Sequence, residues 1–288
     1  MKVIRSVHEL QNELSNIKDQ TIGYVPTMGF FHEGHLSLMK TAREETDFVV
    51  VSIFVNPLQF GPHEDFEQYP RDEEKDLKLA KENGVDLVFL PDVSDMYPNE
   101  ASITMQVVRR TDVLCGRSRP GHFDGVVTVL TKLFHMIQPD QVYFGMKDAQ
   151  QVAVVHGLIT DLNFPITLVG LPTIREENGL AKSSRNVHLS EEEIFEAQWL
   201  NRALTRGFQF VVDGEKDPNI IMNKVSQTIK QQTDGKIDYV ELLSYPALQE
   251  ITTINEQVIL AVAVQFKHAR LIDNLVFDQH GQIIERLR

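Results

Sequence analysis

The chain alternates between short apolar, β-branched runs and longer segments with helical periodicity. Residues Phe48–Val55 are almost uniformly apolar, which is typical of a central parallel strand covered on both faces. Thr21–Val25, Val85–Leu90, Gln141–Phe144 and Ile166–Leu171 predict four further strands of this buried kind. Because helical patterns separate these strands, the order of elements predicts an α/β fold with a parallel sheet.

The polar and apolar positions between these strands predict the connecting elements. Apolar residues at helical spacing predict helices that begin near Ser6 and that span Tyr69–Asn83 and Val126–Ile137. Ile103–Val108 is predicted to be an edge strand. Cys115–Gly125 contains several Gly and Pro residues and is predicted to be a basic loop, either solvated or covering an anionic site.

The pattern changes after residue 186. Two helices are predicted first, at Ser190 to about Val212 and at Pro218–Gln232, followed by strands at Asp238–Leu242, Gln257–Phe266 and Arg270–Phe277. Helices followed by strands indicate an α+β unit. We therefore predict a parallel-sheet domain over residues 1–175 and a smaller α+β domain over residues 176–288.

Composition narrows the class of protein. With 42% hydrophobic and 24% charged residues, the 288-residue chain is typical of a soluble globular protein. The net charge of −13 disfavours nucleic-acid and anionic membrane surfaces. The single cysteine, Cys115, excludes an internal disulfide, and there is no run of 18 apolar residues and no signal-peptide pattern. We expect a cytoplasmic protein with no nucleic-acid or membrane partner.

The candidate chemistry centres on the turn Pro26–His35, which joins the first long strand to a helix. Gly29 and Gly34 allow the backbone to approach a ligand closely. A helix that begins near His35 directs free N–H groups and its positive dipole end toward the turn, which suits a phosphate group. His32 and His35 can then donate to charge that develops on phosphorus oxygens.

A metal site is the alternative interpretation of the two histidines. A zinc-protease helix has the pattern His-Glu-x-x-His, whereas here the spacing is i, i+3 with Gly34 between His32 and His35. Glycine is a poor residue for a helix interior. We therefore favour a nucleotide site and predict no protein-bound metal.

Three further loops follow predicted strands, and ligands of parallel sheets bind beyond the carboxyl ends of the strands. Asn56 and Gln59 offer neutral amides suited to hydroxyls and carboxylates. In Gly145–Gln151, Lys147 can contact a phosphate as a point charge, and Asp148 can cap the next helix or touch a ribose hydroxyl. In Lys182–Arg185, two hydroxyls lie between two cations, which makes a candidate anion clamp.

These motifs, in this order, resemble those of the pantothenate synthetase (pantoate–β-alanine ligase) family, within the nucleotidyltransferase superfamily that carries His-x-Gly-His. The resemblance covers nearly the whole chain. Its motifs are Pro-Thr-Met-Gly-Phe-Phe-His-Glu-Gly-His, Ser52–Phe60, Ser118–Phe123, Gly145–Gln151 and Lys182–Asn186.

The resemblance implies a Rossmann-like catalytic domain and a ligase that adenylates pantoate with ATP and then transfers the acyl group to β-alanine. The catalytic residues it implies are His32, His35, Lys147, Ser183, Ser184 and Arg185. Its ATP ligands would be Met28, Gly29, Phe30, Phe31, His32, Glu33, Gly34, His35, Gly145, Met146, Lys147, Asp148, Ile174, Lys182, Ser183, Ser184 and Arg185.

Gln59, Gln151 and Asn56 are the expected substrate-binding residues for pantoate and β-alanine. Mg²⁺ would bridge the phosphates of ATP, His35 would act as proton donor, and the family commonly forms homodimers. One departure is Lys182, where the family usually has an apolar residue. Two other functions remain open: a nucleotidylyltransferase acting on a phosphate-bearing substrate, and a non-catalytic nucleotide sensor.

Overall fold

The structure, a computed structural model, describes residues 1–17, 19–62, 64 and 66–288. Six parallel strands form the larger sheet in the order β1-β4-β3-β2-β5-β6. Their bounds are Lys2–Ile4 (β1), Ile22–Thr27 (β2), Phe48–Ile53 (β3), Leu87–Phe89 (β4), Gln141–Gly145 (β5) and Thr167–Leu171 (β6). The predicted α/β fold with a parallel sheet is confirmed.

Helices connect the strands and continue beyond them. The first seven are Val7–Ser15 (α1), Glu33–Glu45 (α2), Glu73–Glu82 (α3), Val93–Met96 (α4), Leu114–Ser118 (α5), His122–Ile137 (α6) and Ala149–Asp161 (α7). Two longer helices follow the parallel sheet, Glu191–Val212 (α8) and Pro218–Gln232 (α9). Along the described parts of the chain, no helix has the length and apolar character needed to cross a membrane.

Strand β2 holds the centre of the larger sheet. It pairs in parallel with β3 from Ile22 opposite Phe48 to Thr27 opposite Ile53, and with β5 on its other side. Tyr24 and Val25 are fully buried on opposite faces of the sheet, as expected for a strand covered on both sides. The direction in which successive strands are added to the sheet changes between β2 and β5. The carboxyl ends of these two strands therefore mark the switch point at which such sheets bind ligands.

The second sheet is antiparallel, with Lys236–Ser244 (β7), Val258–Gln265 (β8) and Arg270–Phe277 (β9) in the order β7-β8-β9. Helices α8 and α9 pack on it around one apolar cluster that includes Leu204, Ile229 and Leu260. The other face contributes Tyr239 and Val276 to the main core beneath the parallel sheet. The C-terminal unit therefore shares part of its core with the first; the boundary near residue 175 stays a prediction.

The segment Cys115–Gly125 is not a loop as predicted, because α5 ends at Ser118 and α6 begins at His122. Gly116 and Gly125 lie within these helices, at positions where neighbouring backbone leaves no space for a side chain. A Cβ on Gly116 would lie 2.3 Å from the carbonyl oxygen of Thr111, and one on Gly125 would lie 2.2 Å from that of Leu58. Close packing, which a propensity argument does not include, is therefore the reason for these glycines.

Two other predictions about elements were wrong. Ile103–Val108 forms no strand, and both of these end residues are 82% exposed, so no apolar face is buried there. Helix α3 begins at Glu73 rather than near Tyr69, because Asp72 caps it by accepting the N–H of Lys75. The short edge strand β1 was not predicted, since three residues carry too little periodicity.

Candidate active site

Four loops meet at the carboxyl edge of the parallel sheet, after β2, β3, β5 and β6, and line a cavity of about 260 Å³. This cavity adjoins a larger one of about 750 Å³ that extends toward β7 and β9. Residues Lys147, Gln151 and Arg185 line both. The switch point of the sheet therefore contains the predicted loops together, as parallel topology requires.

His32 and His35 form a reciprocal cap at the start of α2. The Nδ1 atom of His32 accepts the N–H of Gly34 at 3.1 Å, and Nδ1 of His35 accepts the N–H of His32 at 3.3 Å. The ring centroids lie 4.2 Å apart. Since Nδ1 is an acceptor in both rings, the proton of each neutral imidazole belongs on Nε2, which leaves one donor per ring for a ligand.

Burial keeps these two histidines uncharged. Desolvation, with a further contribution from Lys147, lowers the pKa of His32 to about 4. Desolvation and the neighbouring His32 lower the pKa of His35 to about 3. At neutral pH the two side chains are therefore hydrogen-bond donors, whereas positive charge at the site comes from lysine and arginine.

A carboxylate that sequence reasoning missed holds the turn before α2. Asp76 of α3 is 1% exposed and accepts the N–H groups of Phe30 and Phe31, each at 2.7 Å. Phe30 has φ of 53° and Gly29 has φ of 85°, so the turn contains two consecutive left-handed residues that Asp76 stabilises. Only its position at the start of an acidic helix could have suggested such a role, and many surface helices share that pattern.

The predicted ATP stretch Met28–His35 divides into two sets. Met28, His32, Gly34 and His35 line the cavity. Gly29, Phe30, Phe31 and Glu33 lie outside its lining in the described structure. Phe31 is buried in the core, and Glu33 forms an ion pair with Lys182 at 3.0 Å. The second set shapes the turn or contacts its neighbours.

Asn56 and Gln59 lie together after β3. Asn56 is 1% exposed, accepts from Leu58 and Tyr97, and donates to Gln59 Oε1 at 3.2 Å and to the carbonyl of Gly125 at 3.0 Å. The Nε2 of Gln59 lies 3.0 Å from the sulfur of Met28. Asn56 therefore has protein partners on both amide atoms and orients Gln59, whose only nitrogen contact in the described structure is a weak acceptor.

Gln150 and Gln151 are neighbours with different environments. Gln150 is buried, donates to the carbonyls of Arg110 and Val113 at 2.8 and 2.9 Å, and accepts from Gly116. Gln151 lines both cavities, and within the described residues no hydrogen bond holds its amide. The sequence pair is thus divided into one residue that joins backbone segments and one that is available to a ligand.

Lys147 lies in a 3-10 turn, Met146–Asp148, between β5 and α7. Its side chain is 19% exposed, lines both cavities, and has Nζ 3.7 Å from Asp148 Oδ1. Asp148 occupies the N-cap position of α7 but makes no side-chain capping bond. Gly145 and Asp148 line the smaller cavity, whereas Met146 is buried in the core.

The segment Lys182–Arg185 reaches the same cavity after β6, together with Ile174. Ser183 Oγ accepts the N–H of Arg185 at 3.3 Å, and the N–H of Lys182 donates to the carbonyl of Ile174 at 2.9 Å. The Lys182 ammonium lies between two carboxylates, 3.0 Å from Glu33 and 2.9 Å from Glu176. The predicted clamp is therefore at the site, with Lys182 engaged by acidic side chains.

Arg119 and His122 form a wall of the cavity that was predicted only as an undecided loop. Arg119 forms an ion pair with Glu64, with Nε 2.7 Å from Oε1, and donates to the carbonyl of Gln59. His122 Nδ1 lies 2.7 Å from the same carbonyl, and burial together with Arg119 lowers the pKa of His122 to about 4. Of the two interpretations of this segment, coverage of the site is the one that fits.

The side chains of the cavity are compatible with a Mg²⁺ ion that is held mainly by the phosphates of a bound nucleotide. Within the described residues no group of three or more His, Cys, Asp or Glu side chains could hold a metal ion. Mg²⁺ commonly keeps several waters and binds through one or two carboxylates together with substrate phosphates. Asp148, at the cavity wall, is a carboxylate that fits this arrangement.

Fold and site together define a nucleotide-binding α/β protein with a histidine-bearing helix start at the switch point of its sheet. The chain belongs to the pantoate–β-alanine ligase family, whose model matches residues 2–276. It is 58% identical to the pantothenate synthetase of Bacillus pumilus over 279 residues, which cover 96% of each chain. The family resemblance and the enzyme class predicted from sequence are confirmed.

Solved structures agree with this family. The crystal structure of pantothenate synthetase from Thermus thermophilus aligns with a TM-score of 0.90 and 43% identity, covering 96% of this chain and 99% of that one. The pantoate–β-alanine ligase of Francisella tularensis aligns with a TM-score of 0.78 and 32% identity, covering 97% and 98%. That protein was crystallised in complex with β,γ-ATP and β-alanine.

Proposed function

We propose that this chain uses ATP to condense (R)-pantoate with β-alanine through a pantoyl adenylate, and that its cavity is the site of both steps. One observation carries the proposal. The cavity combines phosphate-suited donors, His32, His35 and Lys147, with the neutral amides of Gln59 and Gln151. Cations suit a triphosphate, whereas uncharged amides suit a hydroxy acid whose carboxylate must stay reactive.

In the first step a pantoate carboxylate oxygen attacks the α-phosphorus, the bond to the β-phosphate oxygen breaks, and pyrophosphate leaves. Such a displacement needs positioning and charge stabilisation more than covalent catalysis. The Nε2–H groups of His32 and His35 would donate hydrogen bonds to phosphate oxygens. Lys147 and the segment Ser183–Arg185 would stabilise the charge on the leaving pyrophosphate.

In the second step the free amine of β-alanine attacks the acyl carbon, AMP leaves with the bridging oxygen, and the nitrogen loses a proton to solvent. Gln59 and Gln151 would hold pantoate through its hydroxyls, and Gln59 would also lie beside β-alanine. Asn56 would act by orienting Gln59, which it contacts at 3.2 Å. Keeping water out matters here, because water would hydrolyse the adenylate.

Mg²⁺ would accompany ATP, and Asp148 would contribute a carboxylate or hold one of its waters. When bound, the ion would neutralise charge on the phosphates. We also propose that residues 176–288 form a second domain that carries the Lys182–Arg185 segment, that the protein forms a homodimer, and that it works in the cytoplasm without nucleic-acid or membrane partners.

ATP–pyrophosphate exchange with a panel of carboxylic acids tests the proposal. Exchange should require pantoate, and subsequent addition of β-alanine should release pantothenate and AMP in equal amounts. Exchange that depends on a phosphate-bearing substrate would favour a nucleotidylyltransferase instead. ATP binding without any exchange would indicate a nucleotide sensor.

A further inference from the structure

A side chain of the second sheet holds the turn that carries Lys147. Asn274 lies on β9, is 8% exposed, and pairs with Ala261 of β8. Its Nδ2 donates to the carbonyl of Met146 at 3.0 Å and to the carbonyl of Lys147 at 2.8 Å. Both hydrogens of one amide therefore bind consecutive carbonyls of a turn that lies about 130 residues away in the chain, a separation typical of tertiary contacts.

The turn Met146–Asp148 lacks the side-chain capping bond that would otherwise fix its junction with α7. Asp148 occupies the N-cap position of α7 without a side-chain capping bond, and its carboxylate is near Lys147 Nζ. The orientation of a short 3-10 turn depends on few bonds of its own. The carbonyls that Asn274 holds are those of the residue that bears the ammonium and of the residue before it.

The residue before Asn274 forms an ion pair with Arg175, which precedes another phosphate-facing segment. Asp273 is 3% exposed and binds Arg175 through two bonds of 2.7 and 2.9 Å, while Oδ1 also accepts the N–H of Asn274. Arg175 donates to the carbonyl of Gly179, just before the Lys182–Arg185 segment. Two consecutive residues of β9 thus connect to two of the segments that bring cations to the cavity, Asn274 directly and Asp273 through Arg175.

We infer that Asn274 is a positioning residue that sets the place of the Lys147 ammonium for ATP. This inference rests on the proposed function, because it assigns Lys147 to a phosphate of ATP. Without the amide, the buried carbonyl of Met146 and the partly buried carbonyl of Lys147 lose this donor, and the turn can relax by rotation toward other partners. A displacement of about 1 Å at a charge-stabilising group can reduce turnover about 100-fold.

Two variants separate donor loss from loss of shape. Asn274→Asp keeps the outline of the side chain but sets a carboxylate against two carbonyl oxygens, and Asn274→Ala removes the contact. We expect each to lower kcat/KM for ATP in the exchange assay by about 10- to 100-fold, with KM for pantoate changed by less than about twofold. Glu241→Gln is the matched control, since it removes an ion pair of 2.9 Å with Arg117 between the same two parts of the chain.

A double-mutant cycle with Lys147→Ala decides whether Asn274 acts through the lysine. The ATP affinity of the four proteins is measured by calorimetry without pantoate, so that residual turnover is not needed. If Asn274 acts through Lys147, adding Asn274→Ala to Lys147→Ala should weaken ATP binding by less than about twofold further, whereas adding it to the parent chain should weaken it about tenfold.

Fully additive losses in the cycle would overturn the inference and leave the proposed function intact. Normal ATP binding by Lys147→Ala alone would overturn both the inference and the role of Lys147. A fall in thermal midpoint with equal losses for ATP and pantoate in both Asn274 variants would show a purely structural residue, which also overturns the inference.

Discussion

Two phosphate-facing segments of the cavity, Met28–His35 and Lys182–Arg185, are held in different ways. In the turn Met28–His35 the backbone is fixed by the buried carboxylate of Asp76 and by the reciprocal His32–His35 cap. The segment Lys182–Arg185 is held by ion pairs of Lys182 with two exposed carboxylates, by a backbone bond from Lys182 to Ile174 and by a bond within its own turn, among other contacts. Buried bonds to backbone persist without ligand, whereas partly exposed ion pairs are weak and exchangeable.

This difference indicates a division of labour. The first segment is preorganised and should stabilise charge without moving, which is the more effective arrangement for a transition state. The second can exchange its acidic partners for a triphosphate, and Gly179, with φ of 92°, is a suitable hinge. Four measurements, from the largest expected effect to the smallest, would sharpen or break this comparison.

The preorganised side is tested by His35→Ala. Loss of one fixed donor should slow pantoate-dependent ATP–pyrophosphate exchange by about 10²–10³-fold, with little change in fold. His8→Ala, on the exposed face of α1, is the matched control and should leave exchange unchanged. Near-normal exchange by His35→Ala would remove the histidine turn from the chemistry.

Substitutions of Gln151 and Lys147 test which part of the cavity binds pantoate and which part binds the phosphates of ATP. Gln151→Ala should raise KM for pantoate about 5- to 150-fold, because unpaired polar groups cost about 1–3 kcal/mol, with ATP binding almost unchanged. Lys147→Ala should show the reverse preference, raising the ATP requirement more than the pantoate requirement.

Gln150→Ala provides the structural contrast to Gln151→Ala. Its amide joins backbone groups of Arg110, Val113 and Gly116, so its loss should lower the urea midpoint by more than Gln151→Ala does.

Loss of ATP binding with normal pantoate use in Gln151→Ala would mean that the two sides of the cavity were assigned in reverse.

The half-buried histidines His32 and His35 make a specific contribution to the pH dependence of stability. In the unfolded chain they titrate near 6.5, whereas in the folded protein the pKa of His32 is about 4 and that of His35 about 3. Between these values the unfolded state binds more protons. The free energy of unfolding should therefore fall as pH decreases from 6.5 toward 4, by at most about 1.4 kcal/mol per pH unit for each histidine.

Urea unfolding at pH 7.5, 6.0 and 5.0 measures this slope. The double variant His32→Gln, His35→Gln should have a shallower loss below pH 6.5, and His8→Gln should retain the parental slope. An identical slope in the double variant would show that the histidines are not buried in their neutral form.

Amide hydrogen exchange over residues 179–186 tests whether the segment Lys182–Arg185 changes partners when ATP binds. At ten times its Kd, ATP should slow exchange of this segment about tenfold, and AMP should slow it less because it lacks the outer phosphates. Residues 28–35 should be protected already without nucleotide. Equal protection of residues 179–186 by both nucleotides would indicate a static surface segment.

The sequence by itself determined the alternation of the parallel sheet, the helix-then-strand order of the C-terminal part and the family. It also brought the strand-end loops to one edge, because parallel strands place their carboxyl ends together. The predicted starts of α8 and α9 agree with the structure, in which Ser190 and Asp217 cap them through local hydrogen bonds. Properties that depend on near neighbours in the chain were therefore predictable.

Tertiary structure alone decided which side chains face the ligand. Asp76 and Asn274 contact the site from 46 and 127 positions away, and no local pattern marks them. The same holds for Gln150 and Gln151, whose different roles depend on which one meets the carbonyls of Arg110 and Val113. Spacing along a chain fixes the face of an element, but hydrogen bonds and burial depend on the partner that packs against it.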